Sequence, residues 1–454
     1  MHKKKYVNVA MAKILKAYTM MTLVDLFGDI PYSEANLGVD NTNPKADKGA
    51  DVYAAAIALL DAAIADLAKT PGSYPGSQDL FYGASNAAGA AKWRKAAKTL
   101  KLRAYVATRL VDASAKTKIE ALLTENDLIN SSADDFEFKY GTKDANPNSR
   151  SPKYVNNYLS GVGGANDYMG TFMMWSVVVE KGGSLLSGTN DPRSRYYFYR
   201  QRTNYADVNA QSSSCSTEPR PAHYPSTMPF CLIGGGYWGR DHGDGSGIPP
   251  DRNLRTSVGV YPFGGEFDAN QGITTNQNMG GKGAGVAPIW QATYTHFIKA
   301  EAALILGVAT GGLTPRAALE AGVRASIAKV VGFPSTINVT VSPTFVPDAT
   351  RIDTWVNTKV LPIYDAAVTT SDKLDAIMKE YYIALWGNGV DAYNMYRRTG
   401  KPANIQLAKL ASPGNFVRSH LYPSNYINLN QNAAQKSSIA VQVFWDNNPA
   451  GFIK

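Results

Sequence analysis

Through the first 130 residues apolar side chains return every three or four positions; from about 131 to 286 they stop doing so; from about 287 to 400 they resume. No other feature restricts the fold as much. Three-and-four spacing gives each helix one apolar stripe, and a stripe must be covered by a neighbouring element. Ile14, Ala17, Met21 and Val24 form the first stripe, which ends at Phe27-Gly28. Gly28 suits a helix exit and Pro31 prevents the helix from resuming, so the chain turns within residues 27–32, FGDIPY. Asp29 and Tyr32, flanked by these turn formers, are expected to be structural rather than ligand-binding.

Asp51 is the expected N-cap of a second helix, with Val52, Ala56, Leu59, Ala63 and Leu67 on one face. A third carries Trp93, Ala97, Leu100, Ala104, Ala107 and Val111, with a cationic side of Arg94, Lys98, Lys101 and Arg109. Later, Phe297, Ala300 and Leu304 line one helix, Pro315 after Thr314 opens another, and a last helix covers 371–389. Helical pairs on both sides of a long insertion fit a solenoid of helix-turn-helix units, although no clean 34-residue repeat is present. The tail from 401 is irregular.

The middle stretch is punctuated by Gly, Asn and Pro, as in residues 182–193 and 233–252. With 44% hydrophobic and 18% charged residues the chain is an ordered globular one, and a loop region this long in such a chain usually carries function. The 46 basic and 37 acidic residues give a net charge of +9 that is dispersed along the chain. Its densest run, Lys3-Lys4-Lys5, reads as a solvated terminus rather than a nucleic-acid patch. Two cysteines, Cys215 and Cys231, fit either a loop-closing disulfide or a pair of free thiols. Lys13, Lys16 and Asp25 break the apolar run that a signal peptide or a membrane span would need, so an export signal or lipid anchor is expected upstream of Met1.

Several motifs fail on context. Gly234–Gly239 contains Gly-x-Gly-x-x-Gly, but the following RDHGDGSGIPP cannot open the helix that a dinucleotide site requires. GASNA around Ser85 ends in Ala87 and is no nucleophile elbow. Asp241, Asp244 and Ser246 lack the spacing and terminal Glu of a calcium loop, and His223 and His242 have no partners at ligand spacing. Glu301 and Glu380 sit on scaffold helices, where ion pairing is expected. No catalytic pair, metal or cofactor is indicated.

The aromatic loops differ from these. A sugar ring has a face of C–H groups and an edge of hydroxyls, so a binding site needs a flat ring for the face and polar groups for the edge. Tyr237 and Trp238 lie among glycines beside Arg240 and Asp241; Tyr168 and Trp175 follow GGAND; Phe81 and Tyr82 precede the third helix. These eight residues are the candidate ligand-binding set. The alternative for any one ring is that it packs as satellite core on the scaffold. Trp93, Trp290, Trp386 and Trp445 are expected in the scaffold itself.

Four blocks, in order, resemble the SusD/RagB-like nutrient-binding outer-membrane lipoproteins of Bacteroidetes: YTMMTLVDLFGDIPYSEA; DLFYGASNAAGAAKWRKAAKTLKLRAYVATRL; DPRSRYY with FIKAEAALILG and ALEAGVRASI; and IMKEYYIALWGNGVDAYNMYRRTGKP with LYPSNYINLN and FWDNNP. The family's signal peptide, lipid-bearing cysteine and first N-terminal stretch have no counterpart here. The resemblance implies a mainly α fold, a tetratricopeptide-like superhelix forming one SusD-like domain over 1–454. Residues 1–130 and 287–400 would be scaffold, 131–286 the ligand-binding loops and 401–454 a tail packed on the scaffold. It implies a non-enzymatic surface lipoprotein of the outer membrane that captures oligosaccharides and hands them to a SusC-like TonB-dependent transporter. Capture of peptides or glycopeptides is the alternative.

Overall fold

The structure is a computed structural model that describes residues 5–158, 164–183, 188–203, 219–231, 233–244 and 254–453. Four helices come first: α1 (Tyr6–Phe27), α2 (Gly49–Leu67), α3 (Ala87–Ala107) and α4 (Ala115–Glu125). Then follow β1 (Phe136–Lys139), short helices α5 (Pro152–Tyr158), α6 (Thr171–Val178) and α7 (Ser194–Tyr197), and strands β2 (Phe198–Tyr199), β3 (Ser257–Val258) and β4 (Val286–Trp290). The rest is helical: α8 (Ala292–Leu306), α9 (Pro315–Thr336), α10 (Ala349–Trp355), α11 (Leu361–Ala366), α12 (Thr370–Ala384), α13 (Gly389–Thr399) and α14 (Ser424–Leu429). The antiparallel pair β1–β4 joins the two ends of the middle stretch, and β2 pairs with β3 inside it.

The expected stripes are the packed ones. Ile14, Ala17, Met21 and Val24 of α1 are fully buried, and α1 packs along α2 as α8 packs along α9 and α12. Contrary to the sequence expectation, α1 is long and apolar enough by length and composition to cross a membrane, but its stripe here is used on α2 and Asp25 lies inside the core. Details move by a residue or two. Asp51 sits in the first turn of α2 rather than at its N-cap, Leu60 rather than Leu59 is buried, and Val111 lies beyond α3 and is exposed. Thr314 caps α9 as expected, accepting a hydrogen bond from the Ala317 N–H. Helix α13 buries Asp391, Asn394, Arg397 and Arg398 together with Met395 and Tyr396, so most of its inward side is polar.

The corner at FGDIPY is a structural joint. Gly28 adopts φ +76°, which a side chain resists, and its N–H closes α1 on the Val24 carbonyl. One Asp29 carboxylate oxygen accepts from the Gly49 N–H (2.9 Å) and the other pairs with Lys48, while Tyr422 donates to the Asp29 carbonyl. Ile30 bridges Asp47, whose carboxylate takes the N–H groups of Tyr32 and Ser33.

Two apolar clusters form. The larger runs through α1–α3, α8, α9, α12 and Trp445 of the tail. The second belongs to the middle stretch: Tyr154, Tyr158, Met173, Met174, Tyr196–Phe198, Tyr237 and Val258–Tyr261 close on Val330 and Phe333 of α9 and Ile383 of α12. The stretch that lost helical periodicity therefore has its own aromatic core.

Buried charge ties the parts together. Asp25, fully buried, accepts from Tyr53, Arg103 (2.9 Å), Asn394 (2.8 Å) and the Trp445 indole (3.0 Å), so one carboxylate holds α1, α2, α3, α13 and the tail. Glu301 meets Arg398 and Arg109, and Glu380 meets Arg193 and Lys181, the ion pairing expected for both.

Candidate functional site

The residues expected to bind ligand fall into three places. Phe81 and Tyr82 are half-buried against the scaffold, around Trp93 and Phe136, and Tyr82 donates to the Asp134 carbonyl. They pack at the edge of the first core.

Tyr237 and Trp238 are buried, with 0% and 2% of their surface exposed, which corrects the expectation of open ring faces. Tyr237 packs edge-on to Phe198 under the Arg200 guanidinium, and Trp238 makes reciprocal bonds with Thr256 through its N–H (2.9 Å, to the hydroxyl) and its carbonyl (3.0 Å). The reason lies in the glycine beside them. A Cβ on Gly239 would stand 1.9 Å from the Met169 carbonyl oxygen, so Gly239 lets this segment run against residues 169–171 and draws the rings inward. Arg240 then donates its N–H to the Met169 carbonyl and accepts from that of Thr171. Asp241 is also buried and takes the Cys231 N–H. Cys231 is disulfide-bonded, which decides between the two readings of its thiol; Cys215, the only other cysteine, lies outside the described residues. Trp238→Ala is expected to lower stability by about 3 kcal/mol, the low end for a buried Trp because loops can partly collapse into the gap. Denaturant unfolding of both proteins checks this.

Tyr168 is half-buried and held between two cations. The Arg240 guanidinium lies 3.8 Å from its ring centre and that of Arg255 3.7 Å. Two guanidiniums this close cannot share one face, so they cover both. Arg255 is fixed by the Asp167 and Asn166 carbonyls, and Arg240 by that of Asp244 (3.4 Å). The stacking faces of Tyr168 are thus occupied, and Trp238 meets it edge-on at 6.1 Å.

Trp175 is the open ring. It is the single residue of α6 that is not buried; its neighbours Thr171–Met174 and Ser176–Val178 all face inward. Phe172 stacks beside it (5.8 Å, 27°), and the Lys379 ammonium lies 5.5 Å from the Trp175 ring and 4.4 Å from that of Phe172. Lys379 pairs with Glu180 at 2.9 Å, and the exposed Asn404 donates its amide to the same carboxylate at 2.7 Å. Burial pulls the Lys379 ammonium below its ordinary pKa, with Glu180 opposing. Ring, carboxylate and amide thus meet at one surface, with the buried Lys379 ammonium beneath them. Sequence reasoning singled out Trp175 but missed Glu180, Lys379 and Asn404. These come from a helix end, a scaffold helix and the tail, and no local pattern links them.

Among the described residues no group of three or more His, Cys, Asp or Glu side chains is placed to hold a metal ion. His223 bonds the Ala408 carbonyl and Asp244 pairs with Lys409; Ser246, the third oxygen considered, lies outside the described residues.

Residues 1–218 match the family described as starch-binding and associating with the outer membrane, and residues 270–444 the one described as SusD and RagB outer-membrane lipoprotein. The chain belongs to the SusD/RagB-like family. Solved SusD-like structures share the fold. A chitin-binding SusD homologue from Flavobacterium johnsoniae is 22% identical (TM-score 0.63), covering 97% of this chain and 81% of the other. A SusD homologue from Bacteroides fragilis is 17% identical (TM-score 0.67; 97% and 84% covered), and a SusD/RagB family protein from Bacteroides thetaiotaomicron is 20% identical (TM-score 0.63; 98% and 81%). No curated protein sequence matches the chain. As a SusD-like protein, it has the mainly helical, tetratricopeptide-like fold expected from its sequence.

Proposed function

We propose that this SusD-like protein captures oligosaccharides without altering them, at the Trp175 surface, and passes them to a partner TonB-dependent transporter. The carrying observation is the partly exposed Trp175 ring beside the Glu180–Asn404–Lys379 cluster. The ring covers the C–H face of a sugar, and the exposed Asn404 amide, held in place by Glu180, meets its hydroxyl edge. Arg240 and Tyr168, which lead into α6, extend the polar rim. Trp238, Tyr237 and Asp241 act beneath the surface as support. Phe81 and Tyr82 belong to the scaffold edge. In this reading 1–130 and 287–400 are the frame, 131–286 carries the site and the tail supplies Asn404. The chitin-binding relative and the starch-binding family description support a glycan as ligand. A lipid anchor upstream would hold the protein at the cell surface.

Binding of chitohexaose, soluble starch and a tryptic peptide digest, measured by calorimetry, tests the proposal. A glycan is expected to bind and the digest not, and Trp175→Ala is expected to weaken glycan binding about tenfold or more, about 1.4 kcal/mol. Thermal unfolding of the variant should fall less than for the fully buried Trp238→Ala, since Trp175 is partly exposed. Unchanged affinity in Trp175→Ala would remove this surface as the platform, and binding confined to the peptide digest would overturn the glycan reading.

A further inference from the structure

Arg109, read from sequence as one of the surface cations of α3, points inward instead. Where α1, the end of α3, α8, α13 and the tail meet, five guanidiniums (Arg103, Arg109, Arg397, Arg398, Arg418) face four carboxylates (Asp25, Glu301, Asp391, Asp446), and all nine groups are buried. Most are matched. Arg103 lies between Asp25 and Asp391, Arg418 grips Asp446, and Arg398 takes both oxygens of Glu301 at 2.8 Å. Arg397 donates to the carbonyls of Asp25 and Arg418 and to the Asn394 amide oxygen.

Arg109 has much less. Its side chain is 4% exposed, and its one ionic partner is Glu301, at 3.1 Å, a carboxylate already used on both oxygens by Arg398. Its Nε and Nη1 are buried and meet no acceptor among the described residues. Burial lowers its pKa to about 10; Glu301 opposes this and Arg398 adds to it, so the group stays cationic at neutral pH. A buried cation with unused donors is costly unless an acceptor completes it.

We infer that this site binds a small monovalent anion, chloride being the representative, seated against the unused donors of Arg109. One surplus positive charge calls for one negative charge. The tail covers the region, with Asn448 donating to the Arg397 carbonyl and Asn447 to that of Leu110. Bound there, the anion would link α3 and α13 to the tail.

Thermal unfolding at fixed ionic strength, with sodium gluconate replaced stepwise by sodium chloride, tests the inference. The midpoint is expected to rise by about 2 °C and saturate, bromide acting alike, and Arg109→Met is expected to abolish the dependence. Crystals of the unmodified protein grown in bromide keep the idea testable if that variant does not fold. An anomalous peak within hydrogen-bond distance of the Arg109 guanidinium is expected. A midpoint indifferent to chloride, a water in that position, or bromide found on the surface alone as an adventitious ion only, would each overturn it.

Discussion

Asp25→Ala is expected to cost about 5 kcal/mol and to leave little folded protein at 37 °C. The carboxylate takes bonds from Tyr53, Arg103, Asn394 and the Trp445 indole, all buried, and removing it strands four donors at once. Arg103 would keep Asp391, at 2.7 Å, but lose half its compensation in a site it cannot leave. Breaking a buried pair from one side costs about 3–5 kcal/mol, and the additional donors place this case at the upper end. Asp25→Asn should be milder, since its amide oxygen still accepts while the charge is lost. Urea unfolding of the three proteins gives the ranking directly. An Asp25→Ala protein within about 1 kcal/mol of the parent would mean that this network does not hold the scaffold together.

Arg193→Ala is expected to cost about 4 kcal/mol and to detach the middle stretch from the helices first. Arg193 is fully buried and bonds Asp191 through Nε (2.9 Å) and Nη2 (2.7 Å), Glu380 of α12 (2.9 Å) and Ser326 of α9 (3.0 Å). Its loss leaves Asp191 and Glu380 facing one another, with Lys181 at 2.8 Å from Glu380 and Arg351 on the Asp191 side as the remaining cations. The same cluster sets an acid dependence. Burial alone would raise the Glu380 pKa, but Lys181 and Arg193 outweigh it and hold the group at about 2. A carboxyl depressed on folding contributes stability that is fully present above its unfolded value, near 4.5, and is lost as pH falls toward 2. The parent should therefore weaken across that window. In Arg193→Ala, with one of the two cations gone, the loss should begin at higher pH. Circular dichroism from pH 7 to 2, with hydrogen exchange across residues 190–203, would show both effects.

How far the site could be read from sequence depends on which residues are asked about. Trp175 was visible as a ring in a Gly- and Asn-bordered stretch, yet the same signal marked Tyr237 and Trp238, which lie inside. Glycine beside an aromatic residue fits two opposite outcomes: an exposed loop tip, or a backbone pressed so close to another that a Cβ would collide, as at Gly239. Tyr168 adds a third case, a half-exposed ring whose faces are filled by Arg240 and Arg255. Asn404 and Glu180, 224 positions apart, meet only because the tail folds back over α6 and α12.

The sequence by itself determined the long helices of the frame, the turn at Gly28–Pro31, the loss of helical periodicity in the middle and the family, because these depend on local spacing, backbone freedom and order along the chain; the short helices and strands of the middle stretch were not legible in it. Helix α13 buries mostly polar residues, Asp391, Asn394, Arg397 and Arg398, beside Met395 and Tyr396, so an apolar stripe alone does not mark which side faces inward. Only the tertiary structure decided which rings face water, which arginines turn inward and which carboxylates meet them. Those outcomes are set by desolvation and by partners brought from far along the chain, and a charge is tolerable inside only where the fold delivers its counterpart.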